Sequence, residues 1–250
     1  MIDFPTPIVL EKFWYNSYNL KQHLKEFLHL DSETLDSKLE TGFKQLAELG
    51  KKDFDWESST DFYRDKVNEI YLFELGSWHL ASQDYIGNTL RLVADQAKGR
   101  VLDFGGGIGT HTISAALCPD VDHVVYCDIN PVNTNFVQYR AEKLNLSDKI
   151  TFCTDVSPEE KFDTIMTFDV VEHLAEPQSQ LLKFYHHLTD EGRLIINWYF
   201  FKGFNNEFPF HHNDVEIIDS FFKTLQSHFL EVFHPYLITV RCYKKWVKMS

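Results

Sequence analysis

The chain has 250 residues, 44% of them hydrophobic, which is enough for one large domain, or a domain with an extension, to bury a core. Its formal net charge of −13 opposes a nucleic-acid substrate, because phosphate binding depends on clustered Lys and Arg side chains. Residues 1–5 lack the features of a signal peptide, and no apolar run approaches membrane-spanning length, so we expect no membrane partner. The four cysteines show no CxxC spacing, which favours a reducing, cytoplasmic location.

Residues 1–97 are predicted to form a helical N-terminal extension. Apolar side chains at three- and four-residue spacing over residues 35–49 mark one amphipathic face. A second helix is predicted over residues 62–75, after the capping-type run at 58–61, and a third over 78–97. The extension either packs against the rest of the chain or a second subunit of a homo-oligomer, or it forms a lid over a ligand site.

Residues 98–250 alternate strands and helices, which is typical of a parallel sheet covered on both faces. Helices are expected to follow Gly109, Pro131, Pro177 and Asn213, the last as an N-cap. Residues 101–111 predict a buried strand, a turn with four glycines in five positions, and the first turn of a helix. Gly105, Gly107 and Gly109 allow positive φ angles and remove the Cβ atoms that would hold a ligand away from the backbone. The helix that follows directs free N–H groups at this turn. A tight strand–helix connection that binds nothing is the alternative interpretation.

A second predicted strand ends in Asp128, about 20 positions after the glycines, where a carboxylate can bind the two hydroxyls of a ribose. A turn or capping role is the alternative for Asp128, although Asn130 already suits the helix N-cap before Pro131.

Two residues help to choose between nucleoside cofactors. Thr110 stands where a dinucleotide-binding turn favours glycine. The carboxylate of Asp103, at the end of the first strand, would repel a diphosphate but attract an ammonium or a sulfonium. The electrostatics therefore favour S-adenosylmethionine.

Five motifs in this order resemble those of the class I S-adenosylmethionine-dependent methyltransferases, and they lie at residues 101–111, 149–156, 162–174, 188–197 and 229–245. Phe104 replaces a more usual small or aliphatic residue, and the Gly105–Gly107 triplet replaces a more usual polar centre of this turn. The resemblance implies an α/β fold with a doubly wound, mostly parallel seven-stranded sheet over residues 98–250, preceded by the N-terminal extension. It implies cofactor contacts from nine residues: Asp103, Gly105, Gly107, Gly109, Asp128, Ile129, Asp155, Val156 and Phe168.

His173 and His211 are the candidate catalytic residues. His173 follows the fourth strand, where side chains face the cofactor in similar enzymes, and its alternative role is to brace the loop. His211 lies in the Phe-rich segment 198–214, which we expect to fold over a pocket or against the N-terminal helices. Certain quinone-type O-methyltransferases with a similar loop use such groups around a metal ion. We expect none here, because adjacent residues such as Glu172 and His173 rarely converge on one ion unaided.

The leading hypothesis is methyl transfer to an oxygen or nitrogen of a small molecule or short peptide, in specialised-metabolite or cofactor biosynthesis. A non-catalytic protein that binds S-adenosylmethionine as a regulator is a second hypothesis, since binding precedes chemistry. An NAD(P)-dependent oxidoreductase is a third.

Overall fold

A computed structural model describes residues 8–236 and 238–247, so the predicted absence of a signal peptide at residues 1–5 lies outside the described residues. In this part of the chain seven strands form one sheet with the order β3-β2-β1-β4-β5-β7-β6. The strands are β1 (Gly99–Phe104), β2 (Val121–Cys127), β3 (Ile150–Cys153), β4 (Phe162–Thr167), β5 (Leu188–Ile196), β6 (Phe229–Val232) and β7 (Arg241–Lys245). The first five pair in parallel, and β7 is antiparallel to both β5 and β6. The predicted doubly wound, mostly parallel sheet is confirmed.

The register brings the ends of the central strands to one edge of the sheet. Phe104 is opposite Cys127, and Thr167 is opposite Ile196, so β1, β2, β4 and β5 end at about the same level. The segments that follow these strands therefore meet above a single edge. In open parallel sheets this carboxyl edge is where ligands bind.

Ten α-helices are present in the described residues: α1 (Ile8–Asn16), α2 (Leu20–Phe27), α3 (Ser32–Asp53), α4 (Ser59–Asp61), α5 (Asn68–Ala81), α6 (Gln83–Gln96), α7 (Thr110–Leu117), α8 (Pro131–Lys143), α9 (Pro177–His187) and α10 (Val215–His228). The first six make up the predicted N-terminal extension. Helices follow Gly109, Pro131 and Pro177 as predicted from the sequence.

Three local predictions about helices are wrong. The single helix predicted over residues 78–97 is broken at Ser82, whose N–H still donates to Trp78 and whose carbonyl accepts from Ile86, so the break costs few backbone bonds. Ser58 makes no capping bond, and a π-helical stretch, Phe62–Lys66, separates α4 from α5. The N-cap of α10 is Asp214 and not Asn213, because the Asp214 carboxylate accepts from two N–H groups of the first turn.

The N-terminal helices share their core with the sheet domain. Leu10 and Phe13 of α1 are in one buried apolar cluster with Val101 of β1. The buried guanidinium of Arg140, in α8, donates to the carbonyl oxygen of Ile108 (2.6 Å) and lies 3.4 Å from that of Tyr18, between α1 and α2. The apolar core therefore extends across the predicted boundary between residues 97 and 98, which itself stays a prediction. None of the helices in residues 8–236 and 238–247 is long and apolar enough to cross a membrane.

Candidate cofactor and acceptor site

The turn after β1 has the backbone conformation that its glycines predict. The φ angles of Gly105, Gly107 and Gly109 are +70°, +52° and +74°, in the left-handed region that side chains with a Cβ rarely adopt. A Cβ at Gly109 would also lie 2.6 Å from Val137 of α8. The hydroxyl of Tyr126, in β2, donates to the Gly107 carbonyl oxygen at 2.8 Å and supports the turn from below.

The Asp103 carboxylate lies under this turn. It is 1% exposed and accepts a hydrogen bond from the hydroxyl of Thr112 in α7. Burial raises the pKa of Asp103 to about 7, and the nearby charge of Asp128 raises it further. A positive charge next to the turn would lower this pKa again, so Asp103 suits a cationic ligand.

Asp128 ties the turn after β1 to the turn after β2. Its two carboxylate oxygens accept from the N–H groups of Gly107 (2.9 Å) and Asn130 (2.8 Å). Asp128 therefore has the turn role that the sequence analysis gave as the alternative to ribose binding. Each oxygen keeps a second lone pair that is able to accept from a ribose hydroxyl. The ribose contact itself stays a prediction. Asn130 caps α8 as predicted, because its side-chain oxygen accepts from the N–H groups of Val132 and Asn133.

The other predicted cofactor residues follow β2, β3 and β4. Ile129 is half-buried against the apolar cluster of Tyr63 and Phe210. Asp155 is exposed and accepts from the N–H of Val156, which is half-buried. Phe168 stacks on the ring of His111, with ring centroids 3.8 Å apart. These side chains frame the carboxyl edge, and their contacts with a cofactor stay predictions.

Helix α5 contributes residues to this edge that the sequence patterns did not single out. Leu75 lies so close that a Cβ at Gly107 would come within 3.2 Å of it. One helical turn away, Tyr71 is half-buried within electrostatic range of Glu74 and Asp128. Burial and the carboxylate of Asp169 raise the pKa of Glu74 to about 7. The sequence does contain a feature that could have identified Glu74 as a candidate site residue: it is the single charged residue in an otherwise apolar run over residues 70–76.

The carboxylates of this region fit a cationic cofactor. Asp103, Asp128, Glu74 and Asp169 all have raised pKa values because burial penalises their charged forms. A sulfonium or ammonium ion would stabilise those charged forms, whereas a diphosphate would repel them. The residues present therefore match S-adenosylmethionine better than a dinucleotide.

Asp169 begins the loop after β4 in a left-handed conformation, with a φ angle of +53°. Asn197, at the end of β5, holds it there from both sides. Its amide oxygen accepts from the Asp169 N–H and its amide nitrogen donates to the Asp169 carboxylate, each at 2.6 Å. Asn197 also lies 3.2 Å from the hydroxyl of Tyr85 in α6, so the N-terminal extension helps to position the loop.

The two predicted catalytic histidines lie together. The rings of His173 and His211 are 4.5 Å apart between centroids. One ligand atom from each, and one from Glu172, lie within 4.8 Å of one another. The sequence expectation of no metal rested on Glu172 and His173 alone, and the fold adds His211 to them.

Burial disfavours the charged forms of both histidines. It lowers the pKa of His211 to about 4 and that of His173 well below its ordinary value. Both imidazoles are therefore neutral near pH 7. His212 has a structural role instead, because its ring stacks on Trp56 and donates to the Leu174 carbonyl oxygen at 2.8 Å.

The Phe-rich segment folds against the N-terminal helices, as one of the two sequence-based expectations stated. Phe208 and Phe210 pack with Leu46 of α3 and with Phe62 and Tyr63. Phe204 points away from this contact and is 94% exposed. The packing of Phe210 brings His211 to the site.

Comparisons with known proteins agree with this geometry. A family model described as a methyltransferase domain matches residues 77–215. A geranyl diphosphate methyltransferase in complex with S-adenosylmethionine is 12% identical, has a TM-score of 0.53, and covers 67% of this chain and 88% of its own. The N-methyltransferase NodS from Bradyrhizobium japonicum WM9, in complex with S-adenosyl-L-homocysteine, is 16% identical, has a TM-score of 0.52, and covers 68% of this chain and 91% of its own. No curated protein is significantly similar in sequence.

The two solved structures show the shared fold, and the family model extends over more than half of the chain. With its carboxylate-rimmed glycine turn, the chain belongs to the class I methyltransferase family, whose cofactor is S-adenosylmethionine.

Proposed function

We propose that this protein transfers the methyl group of S-adenosylmethionine to an oxygen or nitrogen atom of a small molecule or short peptide. The observation that carries the proposal is the position of the histidine pair. His173 follows β4 by one short turn, on the same sheet edge as the glycine turn after β1, and His211 is packed beside it.

S-adenosylmethionine supplies a methyl group that is already activated by its sulfonium. The protein therefore has to align an acceptor, keep out water and remove a proton where the acceptor carries one. His173 and His211 are neutral, so each offers a lone pair to an acceptor proton. Asn197 and Asp169 set the shape of the loop that carries His173.

The acceptor region is aromatic, which supports an apolar or aromatic acceptor. Tyr63, Tyr71 and Phe210 form one cluster next to the histidines. The net charge of −13 argues against a nucleic-acid acceptor. One of the two similar solved structures is a methyltransferase of geranyl diphosphate, a small molecule, which agrees with a role in specialised-metabolite or cofactor biosynthesis. The cysteine pattern supports a cytoplasmic location.

The N-terminal extension acts as a lid in this proposal, because Leu75 of α5 faces the glycine turn and Tyr63 contacts His173. Hydrogen exchange tests this role. We expect added S-adenosylhomocysteine to slow exchange over residues 62–81 but not over α10. Unchanged exchange over residues 62–81 at saturating ligand would refute the lid.

Release of S-adenosylhomocysteine tests the reaction. The protein is incubated with methyl-labelled S-adenosylmethionine and separate panels of phenols, carboxylic acids, amines and short peptides, and the products are identified by mass spectrometry. We expect turnover with one class, a loss of at least tenfold in His211→Asn, and little change in His212→Gln, which keeps a donor for Leu174. Tight cofactor binding without turnover on metabolite extract would favour the regulatory alternative. The family match sets aside the oxidoreductase alternative.

A further inference from the structure

Glu172 is a buried carboxylate without a hydrogen-bond donor. Its side chain is fully buried, and neither oxygen has a hydrogen-bond partner among the described residues, because the nearby backbone N–H groups of Glu172 and Tyr199 lie outside hydrogen-bonding geometry. A buried charge without a partner is costly, and a neutral carboxyl group would still leave its own donor unused. The site therefore lacks a positively charged partner for Glu172.

Each of the two histidines keeps one ring nitrogen free to bind a ligand. The Nδ1 atom of His211 lies 3.1 Å from the carbonyl oxygen of Phe201. A carbonyl oxygen only accepts, so Nδ1 carries the proton and Nε2 keeps its lone pair. The Nδ1 atom of His173 lies 3.3 Å from the carbonyl oxygen of Phe210 and 2.9 Å from the hydroxyl of Tyr63. The carbonyl oxygen of Phe210 only accepts, so a proton on this Nδ1 donates to it and again leaves Nε2 free.

This arrangement is the usual one for imidazole ligands of metal ions. Such ligands donate their second ring N–H to a carbonyl or carboxylate, which sets the tautomer and the ring orientation. We propose that Glu172, His173 and His211 bind one divalent transition-metal cation. The observation behind it is that their ligand atoms lie within 4.8 Å of one another around an unpartnered carboxylate.

The ligand types indicate which cation fits. Two imidazoles and one carboxylate suit Zn²⁺, Fe²⁺ or Co²⁺, whereas Mg²⁺ and Ca²⁺ prefer oxygen ligands alone. Three protein ligands also leave at least one position open for an exogenous oxygen.

The open position deepens the proposed function and rests on it, because it selects a hydroxyl acceptor. With the cation bound, the histidine lone pairs are ligands, and the cation replaces them in promoting loss of the acceptor proton. A cation lowers the pKa of a hydroxyl group that binds to it. The hydroxyl proton passes to buffer, the oxygen forms the new bond to the methyl carbon, and the sulfur–carbon bond breaks with its electron pair left on sulfur. The products are a methyl ether and S-adenosylhomocysteine, with no change in the oxidation state of the cation.

Metal binding tests the proposal without reference to activity. The full-length protein, without an affinity tag, is freed of metal with a chelator and titrated with Zn²⁺ by calorimetry and with Co²⁺ by visible absorption. We expect one site per chain and absorption typical of Co²⁺ with nitrogen and oxygen ligands. In Glu172→Gln and His211→Asn we expect affinity to fall at least 100-fold, whereas His212→Gln, one residue further along, should bind as the wild type does.

Thermal unfolding of each variant without metal shows whether it is folded, and Glu172→Gln removes a buried charge and should melt at or above the wild-type temperature. The proposed metal site is refuted if wild type and both ligand variants bind Zn²⁺ with equal affinity, or if the wild type shows no stoichiometric site. Full methyl transfer by the metal-free protein would refute the role of the cation in the reaction while leaving the proposed function intact. Loss of turnover with every acceptor despite a filled site would overturn the proposed function alone.

Discussion

The conversion of Asp103 to asparagine should stabilise the cofactor-free protein at high pH. Asp103 is 1% exposed, and burial raises its pKa from an ordinary 3.8 to about 7. Three pKa units at 1.36 kcal/mol each set an upper limit of about 4 kcal/mol. Because the pKa is raised in the folded state, the folded protein prefers the proton, and this contribution is complete below about pH 4 and lost as the pH rises through 7.

Asp103→Asn removes the charge and keeps an oxygen that can accept the hydroxyl of Thr112. We expect the free energy of unfolding to rise by about 2 to 4 kcal/mol at pH 8 and by at most about 1 kcal/mol at pH 4.5. Urea unfolding at both pH values without cofactor measures this difference. Asp122→Asn, an exposed position on β2, is the matched control and should show no pH-dependent change. A variant that is less stable at pH 8, or shifted equally at both pH values, would refute the reasoning.

Three further changes probe the sheet edge. Gly109→Ala should lower the free energy of unfolding by about 1 to 3 kcal/mol, because φ is +74° and the new Cβ would lie 2.6 Å from Val137. Thermal melts at neutral pH check it, and an unchanged melting temperature would contradict it. Asp128→Ala releases two backbone N–H groups and should weaken S-adenosylmethionine at least tenfold by calorimetry; wild-type affinity would remove this residue from the site. Asn197→Ala frees the loop at Asp169 and should reduce turnover at least tenfold while cofactor affinity changes less than threefold; equal losses in both would argue against a loop-positioning role.

Local patterns in the sequence were sufficient for the sheet, the glycine turn and several caps. Alternating strand and helix patterns predict a parallel sheet because short apolar strands need helices on both faces. The positive φ angles at Gly105 and Gly109 follow from the absence of a Cβ, and Asn130 before Pro131 is a local capping signal. The break at Ser82 was missed, because the helical periodicity continues through it.

The candidate site was only partly readable, since it depends on contacts between residues far apart in the chain. Leu75 of α5 lies close to Gly107, and Glu74 lies within electrostatic range of Asp169, although no spacing rule joins residues 74 and 75 to these positions. Phe210 is buried against the N-terminal helices, and this packing places the next residue, His211, beside His173 in the loop after β4.

The amino-acid sequence by itself determined the fold family and the cofactor, because glycines, a strand-end carboxylate and strand periodicity act over a few neighbouring residues. Only the tertiary structure decided that Glu172 lacks a donor and that two histidines 38 positions apart face it together, because burial and long-range packing set both. The chemistry of the acceptor depends on that second kind of information.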